Sequence, residues 1–169
     1  MTPEPPLAFR PARSGDEQFL RSLFATVWER ALALADWPDE TKEAVLRQQF
    51  EAQHDGYRSA HPEADHELIL VDGEPVGRLY VRREAEVIGL MDISLLPAWR
   101  NRGLGSRLIR DLLAEAREGG QRVELYVEKW NPDARRLYLR LGFADREDIG
   151  THWMMEWRPD ESPHVKKDS

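Results

Sequence analysis

The stretch from Val87 to Ala116 limits what this chain can become more than any other. Val87-Ile88-Gly89-Leu90-Met91-Asp92-Ile93-Ser94-Leu95-Leu96 is an almost continuous apolar run, the pattern of a strand buried on both faces. Pro97 stops it, because proline has no N–H to give a sheet ladder. Arg100-Asn101-Arg102-Gly103-Leu104-Gly105-Ser106 follows, a short loop with two glycines and two arginines. Leu104, Leu108, Leu112 and Leu113 then recur at helical spacing. Strand, glycine-rich turn and amphipathic helix in that order leave unpaired N–H groups at the positive end of a helix dipole. Such an end suits a phosphate.

The flanking sequence completes the unit. Gly119-Gly120 closes the helix, and Val123, Leu125 and Val127 alternate with Glu124, Tyr126 and Glu128 as a strand of period two. A strand–helix–strand passage of this length is a right-handed crossover, so the strand near 125 is expected parallel to the one near 92. Upstream, Leu7–Arg10 reads as a short first strand. Ser14 and Glu17 have capping-box spacing, and Phe19, Leu20, Leu23, Phe24, Val27, Trp28 and Ala31 form one helical face. Asp36-Trp37-Pro38 breaks that helix. A second is expected from about Asp39 to Tyr57, with Gln48, Gln49, Gln53, His54 and Tyr57 near its end. Those side chains either meet a substrate or form a solvated face, the commoner fate of polar helix residues. His66–Val71 and Val76–Arg82 flank an Asp72-Gly73 hairpin turn. Asn131 caps a later helix with Pro132 at its first position, Gly142 ends it, and Phe143–Ile149 with His152–Trp157 makes a last hairpin.

Composition narrows the function. The 169 residues suit one domain, and no apolar run approaches a membrane span. The first residues lack a secretory signal's apolar segment, so the cytoplasm is the expected compartment. There is no cysteine, which removes disulfides, thiolate metal sites and a cysteine nucleophile together. A net charge of −7 argues against nucleic acid and favours cationic partners such as protonated amines, although solubility alone accounts for it. The histidines have no metal-site spacing.

Arg100, Gly103 and Gly105 resemble the acyl-coenzyme A binding motif of the GNAT acetyltransferase superfamily, Arg/Gln-x-x-Gly-x-Gly/Ala. A dinucleotide fingerprint fits less well, because Leu108 stands where its third glycine belongs. Asn131, Ala134, Tyr138, Gly142 and Phe143 resemble the later GNAT motif, Asn-x-x-Ala-x-x-x-Tyr-x-x-x-Gly-Phe. The resemblance is strongest from Leu90 to Phe143. It implies an α/β fold, with a mixed, mainly antiparallel central sheet flanked by helices, in a single domain over residues 7–157. Residues 1–6 and 158–169 are expected to be flexible termini.

The resemblance also implies an N-acetyltransferase that moves an acetyl group from acetyl-coenzyme A to a primary amine by direct attack, with no metal. The backbone of Ile93 and Leu95 would hold the pantetheine arm. Arg100, Asn101, Arg102, Gly103, Leu104, Gly105 and Ser106 would hold the pyrophosphate, with Asn131 and Tyr138 completing the cofactor site. Tyr138 would act on the leaving thiolate; its helix is expected to carry Asn131 and Tyr138 on one side, beside an apolar stripe of Ala134, Leu137 and Leu141. Relatives place a glutamate base where this chain has Gly89 or Tyr126, so Asp92 and Glu128 are the carboxylate candidates, with His152 a third. An ordinary core tyrosine, and carboxylates paired with arginine, are the alternatives. The acceptor is a small-molecule or protein amine, and a homodimer is common among such proteins. A different class of function, an acyl-coenzyme A binding regulatory module without turnover, shares the same motifs.

Overall fold

The computed structural model describes residues 3–161; of the expected flexible termini, 1–6 and 158–169, residues 1–2 and 162–169 lie outside the described residues. In chain order the elements are β1 (Leu7–Pro11), α1 (Glu17–Ala33), α2 (Asp39–Ala60), β2 (Asp65–Val71), β3 (Glu74–Arg83), β4 (Val87–Leu95), α3 (Leu104–Gly119), β5 (Arg122–Glu128), α4 (Pro132–Arg140), β6 (Ala144–Asp148) and β7 (His152–Trp157). The strands follow the order β1-β2-β3-β4-β5-β7-β6. β1 with β2, β2 with β3, β5 with β7 and β6 with β7 pair antiparallel, and β4 pairs with β5 in parallel. The expected mixed, mainly antiparallel sheet is therefore present. Two compact units share the chain: one takes Asp92–Arg102 with the residues up to Val81, the other Arg82–Met91 with the residues from Gly103 onward. Among the described residues, no helix is long and apolar enough to cross a membrane.

In the first unit, α1 and α2 lay Leu20, Phe24 and Phe50 onto Leu68 of β2. Phe24 meets Phe50 edge-on at 5.6 Å and stacks on Trp28. The Ser14/Glu17 capping box does not form. Ser14–Asp16 make a 3-10 turn ahead of α1, and Asp16 Oδ2 accepts from the Arg13 N–H at the start of that turn at 2.8 Å. Arg10 donates to both Asp16 oxygens and holds that carboxyl down at about 2. A carboxylate already oriented by a guanidinium is a strong acceptor, and it takes the Arg13 N–H and draws the chain into the 3-10 turn. The Asp72-Gly73 turn has φ of 49° and 80°, the positive values a two-residue hairpin turn needs. The β2–β3 register slips between Ile69 and Leu70, leaving an extra residue in β3 near Val76. There the Leu96 N–H donates to the Val76 carbonyl at 2.8 Å. A Cβ on Gly77 would stand 2.3 Å from the Ser94 carbonyl oxygen. Glycine at this bulge is what lets the end of β4 approach.

In the second unit, β4 runs parallel to β5 from Val87 opposite Arg122 to Leu90 opposite Leu125, as the crossover requires. Between them, α3 buries Leu104, Leu108, Ile109, Leu112, Leu113 and Ala116. It ends at Gly120, whose φ is 64°. β5 pairs with β7 and β7 with β6, and Ile88, Val123 and Met155 are fully buried.

His66 lies flat on Tyr80 with ring centroids 4.2 Å apart. Burial above all, then the Arg78 and His54 charges, push its imidazole from the usual 6.5 down to about 4. Two outcomes follow. Gly77→Ala should cost about 1–3 kcal/mol, as overpacking does, and urea denaturation reads it. For His66 the folded chain binds fewer protons than the unfolded chain between pH 6.5 and 4. Its contribution is complete above the upper limit and is lost as pH falls toward the lower one, on the order of 2–3 kcal/mol. Melting curves across that window should slope steeply for the native chain and flatten in His66→Phe, which keeps the ring stack.

Candidate functional site

Each unit holds part of the chemistry expected of the chain. In the first, the face of β2, β3 and β4 under α2 is polar where a core would be apolar. Arg78, 4% exposed in a strand of valines and tyrosine, donates to Asp92 Oδ2 from Nε at 2.8 Å, and its Nη2 forms an ion pair with the same oxygen at 2.7 Å. Its Nη2 also donates to Gln53 Oε1 of α2 at 2.9 Å, and Ser94 Oγ donates to Asp92 Oδ2 at 2.8 Å. Tyr57 of α2 meets Tyr80 edge-on at 5.3 Å, and His54 stacks on Phe50. Among the described residues, His54 Nδ1 and His66 Nε2 are buried without a hydrogen-bond partner, a costly state for a polar atom.

The polar end of α2 thus divides in two. Gln48 and Gln49 are exposed, while Gln53, His54 and Tyr57 turn partly inward. Sequence reasoning reaches Gln53 only among the polar side chains of α2 and misses Arg78 and Ser94. The available signal was an arginine inside the otherwise apolar run Val76–Val81.

β4 itself changes along its length. Val87–Leu90 are buried, whereas Met91–Leu95 are half-buried, including Ile93 and Leu95. The Leu95 carbonyl accepts from Arg100 Nε at 2.8 Å, and Arg100 Nη2 donates to Thr26 Oγ1 at 2.9 Å. Arg100, expected as a charge for a pyrophosphate, therefore clamps the end of β4 to α1. Burial lowers its pKa from the ordinary arginine value, while Glu29 opposes the shift. Arg102 lies over the Trp99 ring at 4.9 Å. Asn101 has φ of 58°, a strained value for a residue with a side chain. Thr26 and Glu29 also line a cavity of about 520 Å³ between α1 and α2, with Leu32, Leu46, Asp39 and Glu43 among its walls.

In the second unit, Gly103 caps α3 with φ of 78°, with no side-chain cap and no acidic residue in the first turn. The N–H groups from Gly103 to Ser106 precede the first intrahelical bond, which Arg107 N–H makes to the Gly103 carbonyl at 3.0 Å. Gly103 is explained by its φ. Gly105 is not, since its φ is unexceptional and a Cβ there would touch only Leu137 Cδ2 at 4.0 Å. Leu104 is buried beneath the turn.

Asn131 caps α4 with its Oδ1 accepting from Ala134 N–H at 3.3 Å. Along α4 burial falls most on the tyrosine and less on the aliphatic stripe beside it. Tyr138 is its one buried residue, edge-on to Phe143, and Ala134, Leu137 and Leu141 are only half-buried. The larger ring takes the deeper place because it buries more apolar area than the neighbouring aliphatic side chains.

Glu128 and His152 stand opposite each other on β5 and β7, with His152 Nε2 3.9 Å from Glu128 Oε1. At Gly89 a Cβ would meet the Arg82 guanidinium at 2.8 Å. That guanidinium crosses to Glu124, the residue opposite Gly89, at 2.5 Å. At position 89, where the resemblance implies a carboxylate base, an arginine reaches over a glycine instead. Among the described residues, no three metal-ligating side chains cluster.

Comparison with known proteins follows the same lines. Residues 20–143 match the model of the acetyltransferase (GNAT) family. A mycothiol acetyltransferase of Nocardiopsis dassonvillei is 41% identical over 76 residues, 44% of this chain. The match spans about a fifth of that relative's length, 20%. The PaiA N-acetyltransferase of Thermoplasma acidophilum, solved in complex with coenzyme A, superposes with a TM-score of 0.68 at 18% identity, over 90% of this chain and 99% of that one. An acetyltransferase of Thermus thermophilus gives 0.64 at 25% identity, over 90% and 96%. With a strand, glycine turn and helix built as its motif demands, and a family model covering most of its length, this chain belongs to the GNAT acetyltransferase family.

Proposed function

We propose that the chain transfers an acetyl group from acetyl-coenzyme A to a primary amine by direct attack. The observation that carries this reading is Gly105. Neither its backbone angles nor its packing asks for glycine, so the space beside the first amides of α3 is kept for something outside the chain. A pyrophosphate matches those amides, the positive helix end and the absence of acid in the first turn. The bound coenzyme would supply an acetyl thioester. The amides of Gly103–Ser106 hold its phosphates, and the half-buried end of β4, at Ile93 and Leu95, offers backbone groups to its arm. Arg100 keeps that end in place through the Leu95 carbonyl.

The acceptor is read as a cationic amine that loses its proton before it reacts. Glu29, Asp39 and Glu43 around the α1–α2 cavity, against Lys42 alone, support this, as does the net charge of −7. Asp92 and Glu128 are the carboxylates offered for proton removal, the second beside His152. Tyr138 donates a hydrogen bond to the departing sulfur. Full proton transfer from a phenol of pKa about 10 to a thiolate of about 8.5 would be uphill, so donation is its main role. A module that binds the coenzyme without turnover draws support from Gly89, whose usual glutamate is absent and whose place Arg82 covers.

Saturating acetyl-coenzyme A should raise the melting temperature, by about 2.7 kcal/mol of stabilisation at a hundred times its dissociation constant. Gly105→Val should fold normally and lose that shift. An unchanged shift would make the turn purely structural. Tyr138→Phe should keep the shift and lose about 10²- to 10⁴-fold in kcat. A core role alone would lower the melting temperature and leave kcat intact. Thiol release over a panel of amines separates the enzyme from the binding module.

A further inference from the structure

The Arg78 network on the first unit is more than packing requires. A buried ion pair gives little net stability, because desolvation offsets its attraction, and apolar replacements are often as stable. Arg78 Nε and Ser94 Oγ donate to Asp92 Oδ2, and Arg78 Nη2 lies 2.7 Å from the same oxygen as an ion pair. Among the described residues, Oδ1 accepts no hydrogen bond. The Asp92 side chain is 22% exposed against 5% for Arg78, so the accessible end of the network is the carboxylate. Gln53 holds the guanidinium from the α2 side at 2.9 Å, and the guanidinium lies 5.8 Å from the Tyr80 ring centre. One carboxylate oxygen is fixed and the other is presented from the half-buried part of β4.

We infer that Arg78 is a positioning residue, with Gln53 behind it, that aims Asp92 Oδ1 at the N–H of the acceptor amine. The role rests on the amine-acetylation reading above. As the neutral amine nitrogen bonds the acetyl carbon, the carbon–sulfur bond breaks and its electron pair leaves with sulfur. The proton released from nitrogen goes to Asp92 Oδ1. Arg78 touches neither reactant; it fixes the direction of the carboxylate. The fork geometry matters more than the charge, so lysine replaces it only in part.

The test compares the native chain with Arg78→Met, Arg78→Lys, Gln53→Leu and Asp92→Asn, on an amine that the native chain acetylates in a panel. For each protein the melting temperature, the shift with acetyl-coenzyme A, kcat and the amine KM are measured. Arg78→Met should keep the acetyl-coenzyme A shift and lose roughly 10- to 100-fold in kcat, with KM nearly unchanged, as a misplaced catalytic group does. Asp92→Asn, which removes the proton acceptor, should keep the shift and lose about 10²- to 10⁴-fold. Arg78→Lys should recover part of the loss, and Gln53→Leu should lose less. Native kcat per folded molecule in Arg78→Met or Asp92→Asn overturns the role, as does a loss that lysine does not relieve. If Arg78→Met does not fold, Gln53→Leu decides, and native kcat there overturns the role. A native chain that binds acetyl-coenzyme A yet acetylates no amine of the panel overturns the amine reading, and this role with it.

Discussion

A parallel strand pair cannot be closed by a tight turn, because the chain must first travel back along the strand it has just left. Here β4 and β5 are that pair, and α3 is the return path. The requirement fixes what stands at each end of the helix. Gly103 and Gly120 take the left-handed angles that turn the chain in and out of α3. The handedness of the crossover then sets the direction in which the first amides of α3 point. The glycine turn and free amides that open α3 are thus a consequence of closing one strand pair, with Gly105 as the addition that closure does not explain.

The other neighbour of β4 is β3, reached through a short turn at residues 84–86, and it imposes a different order. Gly77 gives way to the Ser94 carbonyl, and Arg78 answers the carboxylate that interrupts the apolar run at Asp92. Where β4 is buried, its residues are apolar. Where it is half-buried, it carries Asp92 and Ser94, and the polar partners arrive from β3 and α2. Arg100 secures the last carbonyl of the strand. A strand can leave its regular sheet environment only if its polar groups find such partners, and each of these bonds provides one.

The polar end of α2 shows why sequence pattern alone misassigns such a face. Gln48, Gln49, Gln53, His54 and Tyr57 read alike in one dimension. The helical period carries Phe50, Gln53, His54 and Tyr57 along one side and leaves Gln48 on the other and Gln49 at the edge, both exposed. Once Phe50 is committed to the core, the side chains three, four and seven positions on must face the sheet, polar or not. The first turn of α1 teaches the same lesson at shorter range. Ser14 has the right spacing for a cap, but Arg10 has already oriented Asp16.

The sequence by itself determined the features set by neighbours a few residues apart. These are the strand ended by Pro97, the glycine turn and α3, the Asn131-Pro132 start of α4, the hairpin at Asp72-Gly73 and the parallel sense of the crossover. Each follows from local backbone chemistry and periodicity, and each is found where expected. Tertiary structure alone decided which charged groups meet. Arg78 finds Asp92 and Gln53 at sequence separations of 14 and 25, Arg82 finds Glu124 at 42, and Arg100 finds Thr26 at 74. It also placed Tyr138, rather than the aliphatic residues beside it, at the buried centre of α4. No periodicity encodes these choices. A long flexible side chain takes whichever partner the packed backbone brings within reach, and burial then makes leaving that partner costly.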